Sequence, residues 1–451
     1  MPDPTPPPRD LSRQLGLAPL TALVIGQVIA VGIFLTPAGM ARSLGSPLWL
    51  LIVWLLMGAM ALAGALCYGE LAARFPEAGG GYVYLRHAYG PAVAFLYGWK
   101  CLLVMDPGIT AALAAGLASY VAYLTGLPPV GLKLVAVGTI LGLAAVSMVG
   151  VRLAGRVMQW LTTLKLGALA LLAVLALALR LGDWSNFVPF IEQRSGSDPL
   201  PGALAPALVG AFFAFGGWWE ISKLAGEARD PGRTLPRALV FGVVVVTVVY
   251  ILTSAVFLYL VPLGQVTSGE AFAAQAGEAL FGRAGGGVFA AVVIVAVIGS
   301  LMALLMTLPR VYYAMARDGV FFRGVAVLHP RFGTPARAVG IQAALASLLV
   351  ALGTFNQIVS YFIFVTVLFL GLTVSGLFRL RGDGAGEPGY RTPGYPVTPA
   401  VFLILVAVLL VLLAGNRPLQ AALGVGIVAL GFPVYWLAFR WRPNPKKDAL
   451  R

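Results

Sequence analysis

Charged side chains stand inside apolar runs, among them Lys100, Asp106, Lys165 and Glu220. A charge at bilayer depth costs about 3 kcal/mol or more, so it marks a substrate path, an ion path or a partner charge. Two glycine interruptions accompany them. Gly32 lies midway through the run Leu17 to Leu44, with Pro37 five residues later. Gly216 and Gly217 interrupt Ala203 to Gly226. A broken helix frees backbone N–H and C=O groups at membrane depth, which is tolerated only where protein or a wet cavity satisfies them. In repeat-built transporters that cavity holds the substrate.

The chemistry on offer is recognition of a zwitterion. A helix restarting at Gly32 directs the N–H groups of Gly32, Ile33 and Phe34 toward the midplane, which suits a carboxylate. The carbonyls of Val28, Ile29 and Ala30 end the preceding half-helix and suit an ammonium group. Those near Phe213 and Ala214, where the outer half of the second broken span ends, add to them. The expected substrate-binding set is Val28, Ile29, Ala30, Val31, Gly32, Ile33, Phe213, Ala214, Phe215 and Gly216. For each glycine break the plainer alternative is close helix packing. Trp218 and Trp219 read as packing or interface residues.

Lys165 lies mid-span in Leu161–Gly167, and snorkelling to the surface is the alternative to a functional role. Asp106 and Glu220 should find partners, and Lys100 with Glu220 is one structural option. The functional alternative is that Asp106 or Glu220 receives a cationic side chain, a polyamine or a coupling proton. Glu70, Glu77, Glu227, Asp230, Arg310, Arg317 and Asp318 fall near one membrane face. They could form an inner gate of ion pairs or be solvated loop charges.

Other chemistries lack their residues. His87 and His329 sit in loops far apart, so no metal constellation or cofactor site is expected. No catalytic dyad is visible, so the chain does not read as an enzyme. Cys67 and Cys101, both in apolar segments, exclude a disulfide framework. Gly384–Gly389 satisfies G-x-G-x-x-G, but no strand precedes it and Pro388 disfavours a helix start, so it reads as a loop. No pore-lining charge ring or filter loop suggests a channel.

The elements that must position these residues are membrane spans. Of 451 residues 59% are hydrophobic and 11% charged, and the mean hydropathy is +0.90. A soluble chain would carry about 25% charged residues. Apolar runs of about 20 residues recur throughout, so the fold class is an all-α polytopic membrane protein. Twelve spans are expected. The net charge of +14 is spread between spans rather than gathered in a nucleic-acid-binding patch. With the N-terminus inside, only Arg42, Lys133, Arg180, Arg194, Arg283 and Arg417 fall outside, which sets both termini in the cytoplasm. The two broken spans are five apart and so enter from opposite sides, the pattern of an inverted repeat. The expected organisation is a disordered tail at 1–16, a five-helix repeat at 17–181, a second at 203–380, two extra helices at 397–441 and a tail at 442–451.

Several stretches carry a family resemblance. Gly32-Ile33-Phe34-Leu35-Thr36-Pro37 resembles the first-helix signature of the amino acid–polyamine–organocation (APC) superfamily transporters. Tyr68 to Gly80 is similar to that family's second-helix exit, Phe213 to Trp218 to its sixth-helix break, and Glu227 to Pro231 to the loop after it. Ala314 to Gly319, with His329 to Pro335, resembles the loop after its eighth helix. Trp99 and Val104 to Gly108 tilt the match toward the L-amino-acid transporter branch. The resemblance implies a LeuT-like five-plus-five fold with broken helices 1 and 6, and amino acid transport across the plasma membrane by alternating access without covalent chemistry.

It also implies a gating role for Phe213. It places Lys165 beside the first break and Ser300 of the eighth helix, where sodium-coupled relatives bind a cation. Sodium-independent exchange or proton-linked uptake is then expected. A polyamine or basic amino acid antiporter and a membrane nutrient sensor are the alternatives. The family often has Gly-Ser-Gly at the first break; here Ala30-Val31-Gly32 stands, and Val31 adds bulk near the carboxylate position. Thr125–Gly131 lacks the cysteine by which eukaryotic members tether a partner, so no disulfide-linked ancillary subunit is expected.

Overall fold

A computed structural model describes residues 13, 15–30, 32–149, 151–265, 272–327, 329, 332, 334–382, 389–416 and 418–439. Val31, nearly all of the 1–16 tail, the whole 442–451 tail and most of the Gly384–Gly389 loop lie outside these residues. Among the described residues the chain is helical, with one isolated backbone bridge, Leu15 to Ala228, and no sheet.

The first span is two helices, α1 (Leu17–Val28) and α2 (Gly32–Leu44), bent by 44° at the break. Then come α3 (Pro47–Arg74) and the short α4 (Gly81–Tyr89). The next span joins α5 (Pro91–Lys100) to α6 (Asp106–Thr125) through one wide π-turn, Cys101–Met105, closed by Asp106 N–H donating to Cys101 O. Two helices follow, α7 (Pro129–Val149) and α8 (Val151–Ala178). The second broken span is α9 (Leu200–Phe215), then Gly216-Gly217, then a 3-10 segment, Trp218–Glu227. The chain closes with α10 (Pro231–Leu260), α11 (Phe272–Thr307), α12 (Pro309–Arg317), α13 (Ala336–Leu352), α14 (Phe355–Gly382), α15 (Val397–Asn416) and α16 (Pro418–Ala438).

Sequence explains many of the ends. Pro47, Pro91 and Pro231 open helices where a missing N–H leaves nothing unsatisfied. Gly126, at φ +67°, ends α6 in the left-handed conformation. Among the described residues nine helical stretches are long and apolar enough to cross a membrane, and the bent α1–α2 pair makes ten. Residues 163–178 of α8 and the helix α13 are apolar but shorter. The expected twelve spans need both of these; length and composition alone support nine or ten.

Two packed groups emerge. The broken spans lie with α3 and α10: α1 packs on α10, α2 on α9, and α3 on α10. A second group joins α6, α7, α11 and α13. Between them runs α8, which touches α1, α10 and α11. The buried core is continuous through both groups.

One end of the assembly is tied by backbone. Leu15 N–H donates to Glu227 O at 2.9 Å, and Arg229 N–H to Leu15 O at 2.8 Å. The turn before α4 lies on the 3-10 segment, where Gly79 N–H donates to Lys223 O at 3.3 Å. Gly80 has φ +54°, and a Cβ there would sit 2.4 Å from Ser222 Oγ. The charges expected to gather at this face divide into separate groups. Glu227 pairs with Arg310 at 3.5 Å, and Asp318 with Arg86 at 2.6 Å. Buried Glu70 accepts from Arg381 Nε at 2.9 Å and Thr392 N–H at 2.8 Å, with Arg74 at 3.4 Å. Asp230 and Arg233 are an exposed pair at 4.0 Å.

Candidate functional site

The two breaks meet. A Cβ built on Gly32 would lie 2.5 Å from Ala214 Cα and 2.9 Å from its Cβ. Gly32 therefore serves close packing and also opens α2. Gly217 takes φ +110°, a left-handed conformation that suits glycine, and turns the chain from α9 into the 3-10 segment.

Val28 ends α1, and Ile29 and Ala30 follow in non-helical backbone; Ala30 N–H donates to Val28 O at 2.7 Å. Between the half-helices reaches Tyr250 of α10. Its Oη lies 2.9 Å from Val28 O and 2.8 Å from Ala214 O. One hydroxyl proton cannot satisfy both carbonyls at once, so acceptor capacity remains there. The ring is held edge-on by Trp54 at 5.2 Å and Phe215 at 5.1 Å. On the other side of the break, Gly32, Ile33 and Phe34 open α2, whose first N–H groups have no preceding turn to bond. Tyr120 Oη donates to Phe34 O at 2.6 Å and fixes α2 to α6.

Phe213 and Gly216 form part of the wall of a small cavity, completed by Met105, Ile109, Trp219, Phe362 and others. Phe213 meets Phe362 edge-on at 6.3 Å. A neighbouring cavity lies behind Phe215 and Trp219. No charged side chain lines either one. Next to the break Gln27 is buried, and among the described residues neither atom of its amide has a hydrogen-bond partner.

Lys165 is 2% exposed. Its Nζ donates to Gly26 O at 2.7 Å and to Ser300 Oγ at 3.1 Å, joining α8, α1 and α11 one residue before Gln27. Ser300 Oγ donates onward to Ala296 O at 3.3 Å. It does not snorkel: burial and two oxygen partners fix it in the interior.

Of the remaining buried charges, Glu220 and Asp106 find partners inside the protein, though not the one offered as an option. Glu220 pairs with Lys223, not with Lys100. In a 3-10 helix residues three apart eclipse, so the tight segment after Gly217 stacks these two side chains directly. Lys223, within the run Ala203 to Gly226, is 1% exposed because the turn before α4 covers it. Asp106 accepts from Tyr312 Oη of α12, while its Oδ1 has no hydrogen-bond partner among the described residues. Lys100 donates to Met105 Sδ at 2.9 Å and lies over the Tyr97 ring at 4.6 Å.

The structure thus brings Val28, Ile29, Ala30, Gly32, Ile33, Phe213, Ala214, Phe215 and Gly216 around one locus, with Lys165 and Ser300 beside it. Asp106 and Glu220 line neither cavity. Val31 lies outside the described residues. Sequence reasoning missed Tyr250, Gln27, Met105 and Trp219. Gln27 carried a signal, as a polar side chain within an apolar run.

Comparison with known proteins gives the family. The family profile described as amino acid permease matches residues 15–439. The chain is 30% identical over 448 residues to the human large neutral amino acids transporter small subunit 2, covering 97% of this chain and 82% of that protein. It is 31% identical over 436 residues to the serine/threonine exchanger SteT of Bacillus subtilis, covering 94% and 97%. It is 31% identical over 381 residues to the rabbit b(0,+)-type amino acid transporter 1, covering 83% and 77%. With paired breaks, a buried amine beside them and a match across nearly its whole length, the chain belongs to the amino acid permease family, all-helical membrane proteins of the APC superfamily that transport amino acids.

Proposed function

We propose that this chain is a sodium-independent exchanger of neutral amino acids in the plasma membrane, working by alternating access with both termini in the cytoplasm. The observation that carries the reading is Lys165 Nζ, held between Gly26 O and Ser300 Oγ. A fixed ammonium there replaces a bound cation and keeps α1 and α11 in register without sodium. The substrate carboxylate docks on the first N–H groups of α2. Its ammonium takes the acceptor capacity of Val28 O and Ala214 O, and Phe213 closes over the side chain. Repeats at 17–181 and 203–380 supply one broken span each. Neutral substrates are favoured because the cavity at Phe213 has no charged wall. Two relatives bear names that fit, a large neutral amino acids transporter subunit and a serine/threonine exchanger. Both cysteines are buried, which supports a chain that works without a disulfide-linked partner.

The test is exchange in proteoliposomes loaded with unlabelled amino acid, with labelled substrate outside. Exchange unchanged when choline replaces sodium supports the reading, and collapse rejects the role of Lys165. No flux above empty liposomes would point instead to a nutrient sensor. A basic amino acid or polyamine antiporter is the second reading, motivated by the open Oδ1 of Asp106. Selective loss of lysine or arginine transport in Asp106→Asn or Glu220→Gln would support it.

A further inference from the structure

Lys100 is buried, 2% exposed, yet among the described residues no carboxylate lies within ion-pair distance of it. Its Nζ donates to the thioether of Met105 at 2.9 Å and otherwise faces the rings of Tyr97 at 4.6 Å and Phe369 at 5.6 Å. Sulfur is a weak acceptor. An ammonium in such a setting is costly at this depth and implies a use. Of the acids in the region, Glu220 is paired with Lys223, and Asp106 is bonded through one oxygen to Tyr312.

What Lys100 holds is informative. It ends α5, and Met105 ends the wide π-turn before α6. Such turns recur at functional positions because the extra residue redirects a side chain. Here the turn lets Lys100 and Met105, five residues apart, meet on one side. Met105 also forms part of the cavity wall with Phe213 and Gly216 of the second break. Methionine is flexible, with three rotatable bonds, and would not hold one shape unaided.

We propose that Lys100 is a positioning residue for Met105, and that the pair sets the largest substrate side chain the cavity admits. The inference rests on the proposed amino acid exchange at the two breaks. Lys100 touches no substrate. Its ammonium pins the thioether so that Met105 stands as a fixed wall opposite Phe213, and large side chains are refused for lack of space. One methylene of fit in an apolar pocket discriminates about tenfold or more.

The experiment is counterflow with labelled alanine and leucine into proteoliposomes, giving KM and maximal rate for each. Met105→Ala should raise the leucine-to-alanine ratio about tenfold, mostly through a lower KM for leucine. Lys100→Met should raise it in the same direction by a smaller factor, since the freed Met105 can retract. The double variant should match Met105→Ala alone. A wild-type ratio in Lys100→Met together with a changed ratio in Met105→Ala overturns the proposal. So does a double variant whose effect is the product of the two. If Lys100→Met does not yield monodisperse protein, Lys100→Gln carries the same expectation. An unchanged alanine KM with an altered leucine KM separates positioning from general damage. Wild-type protein that exchanges no amino acid refutes the exchange reading itself, whereas exchange with unaltered selectivity in every variant refutes only this one.

Discussion

Lys165 and Lys100 are both buried amines in apolar spans, and they differ in what receives their protons. Lys165 donates to two oxygens on two other helices, Gly26 O and Ser300 Oγ. Lys100 donates to a sulfur five residues along its own span. The first is a cross-link between packed groups, made of charge-assisted bonds worth about 1.5–3 kcal/mol each. The second is a local prop. A charge of the same kind at similar burial can thus bridge three helices or hold one side chain of its own span, and its partners decide which.

The contrast predicts unequal mutational effects. Lys165→Met should lower exchange of every substrate by about 100-fold, since two strong bonds near the break are lost. Lys100→Met should leave exchange of small substrates within a few-fold of wild type. Equal losses for both, measured as initial exchange rates, would erase the distinction.

Glycines sharpen it next. Gly32→Ala forces a methyl into Ala214, an overpacking that costs about 1–3 kcal/mol and should appear as a lower melting temperature and impaired exchange. Gly167, two residues from Lys165, has nothing within 4 Å of an added Cβ. Gly167→Ala should be silent in both assays. A silent Gly32→Ala would mean that the two breaks do not touch.

Tyr250→Phe comes third. It removes the hydroxyl shared by Val28 O and Ala214 O but keeps the ring, and should slow exchange about fivefold, the worth of one net hydrogen bond. An effect as large as that of Lys165→Met would move the centre of the site from the amine to the phenol.

The smallest effect lies outside the spans. His87 stacks on Phe75 with ring centroids 4.2 Å apart, and burial lowers its pKa from the ordinary histidine value. The unfolded chain then binds the proton more readily than the folded one. Stability from this group is complete above about pH 6.5 and is lost as pH falls through the lower folded value. His87→Gln should flatten that acid-side loss, a melting-temperature change of about 1–2 °C. No difference between pH 7 and pH 5.5 would show that the stacked ring is freely solvated.

The breaks and Lys165 were legible in the sequence because glycine pairs and charges are conspicuous in apolar runs. Lys165 beside the first break and Ser300 could be placed only through family resemblance. Tyr250 was not legible: it is one of 15 tyrosines, and nothing in its spacing shows that α10 packs against both breaks. Trp219 read as packing because its face depends on Gly217, whose left-handed turn sets the rotation of everything after it. The burial of Lys223 was not legible for a related reason. A 3-10 segment rises farther per residue than an α-helix, and a covering turn kept its end out of solvent. The pairing of Glu220 followed from the same geometry.

The backbone bridge at Leu15 has a mechanical consequence. It stitches the chain just before α1 to the end of the 3-10 segment that follows the second break, through two hydrogen bonds at 2.9 and 2.8 Å. Any swing of α1 must carry that segment with it, or tear the stitch. The two half-helices are therefore leaves of one door rather than two, and a deletion that removes Leu15 would let each leaf move on its own hinge.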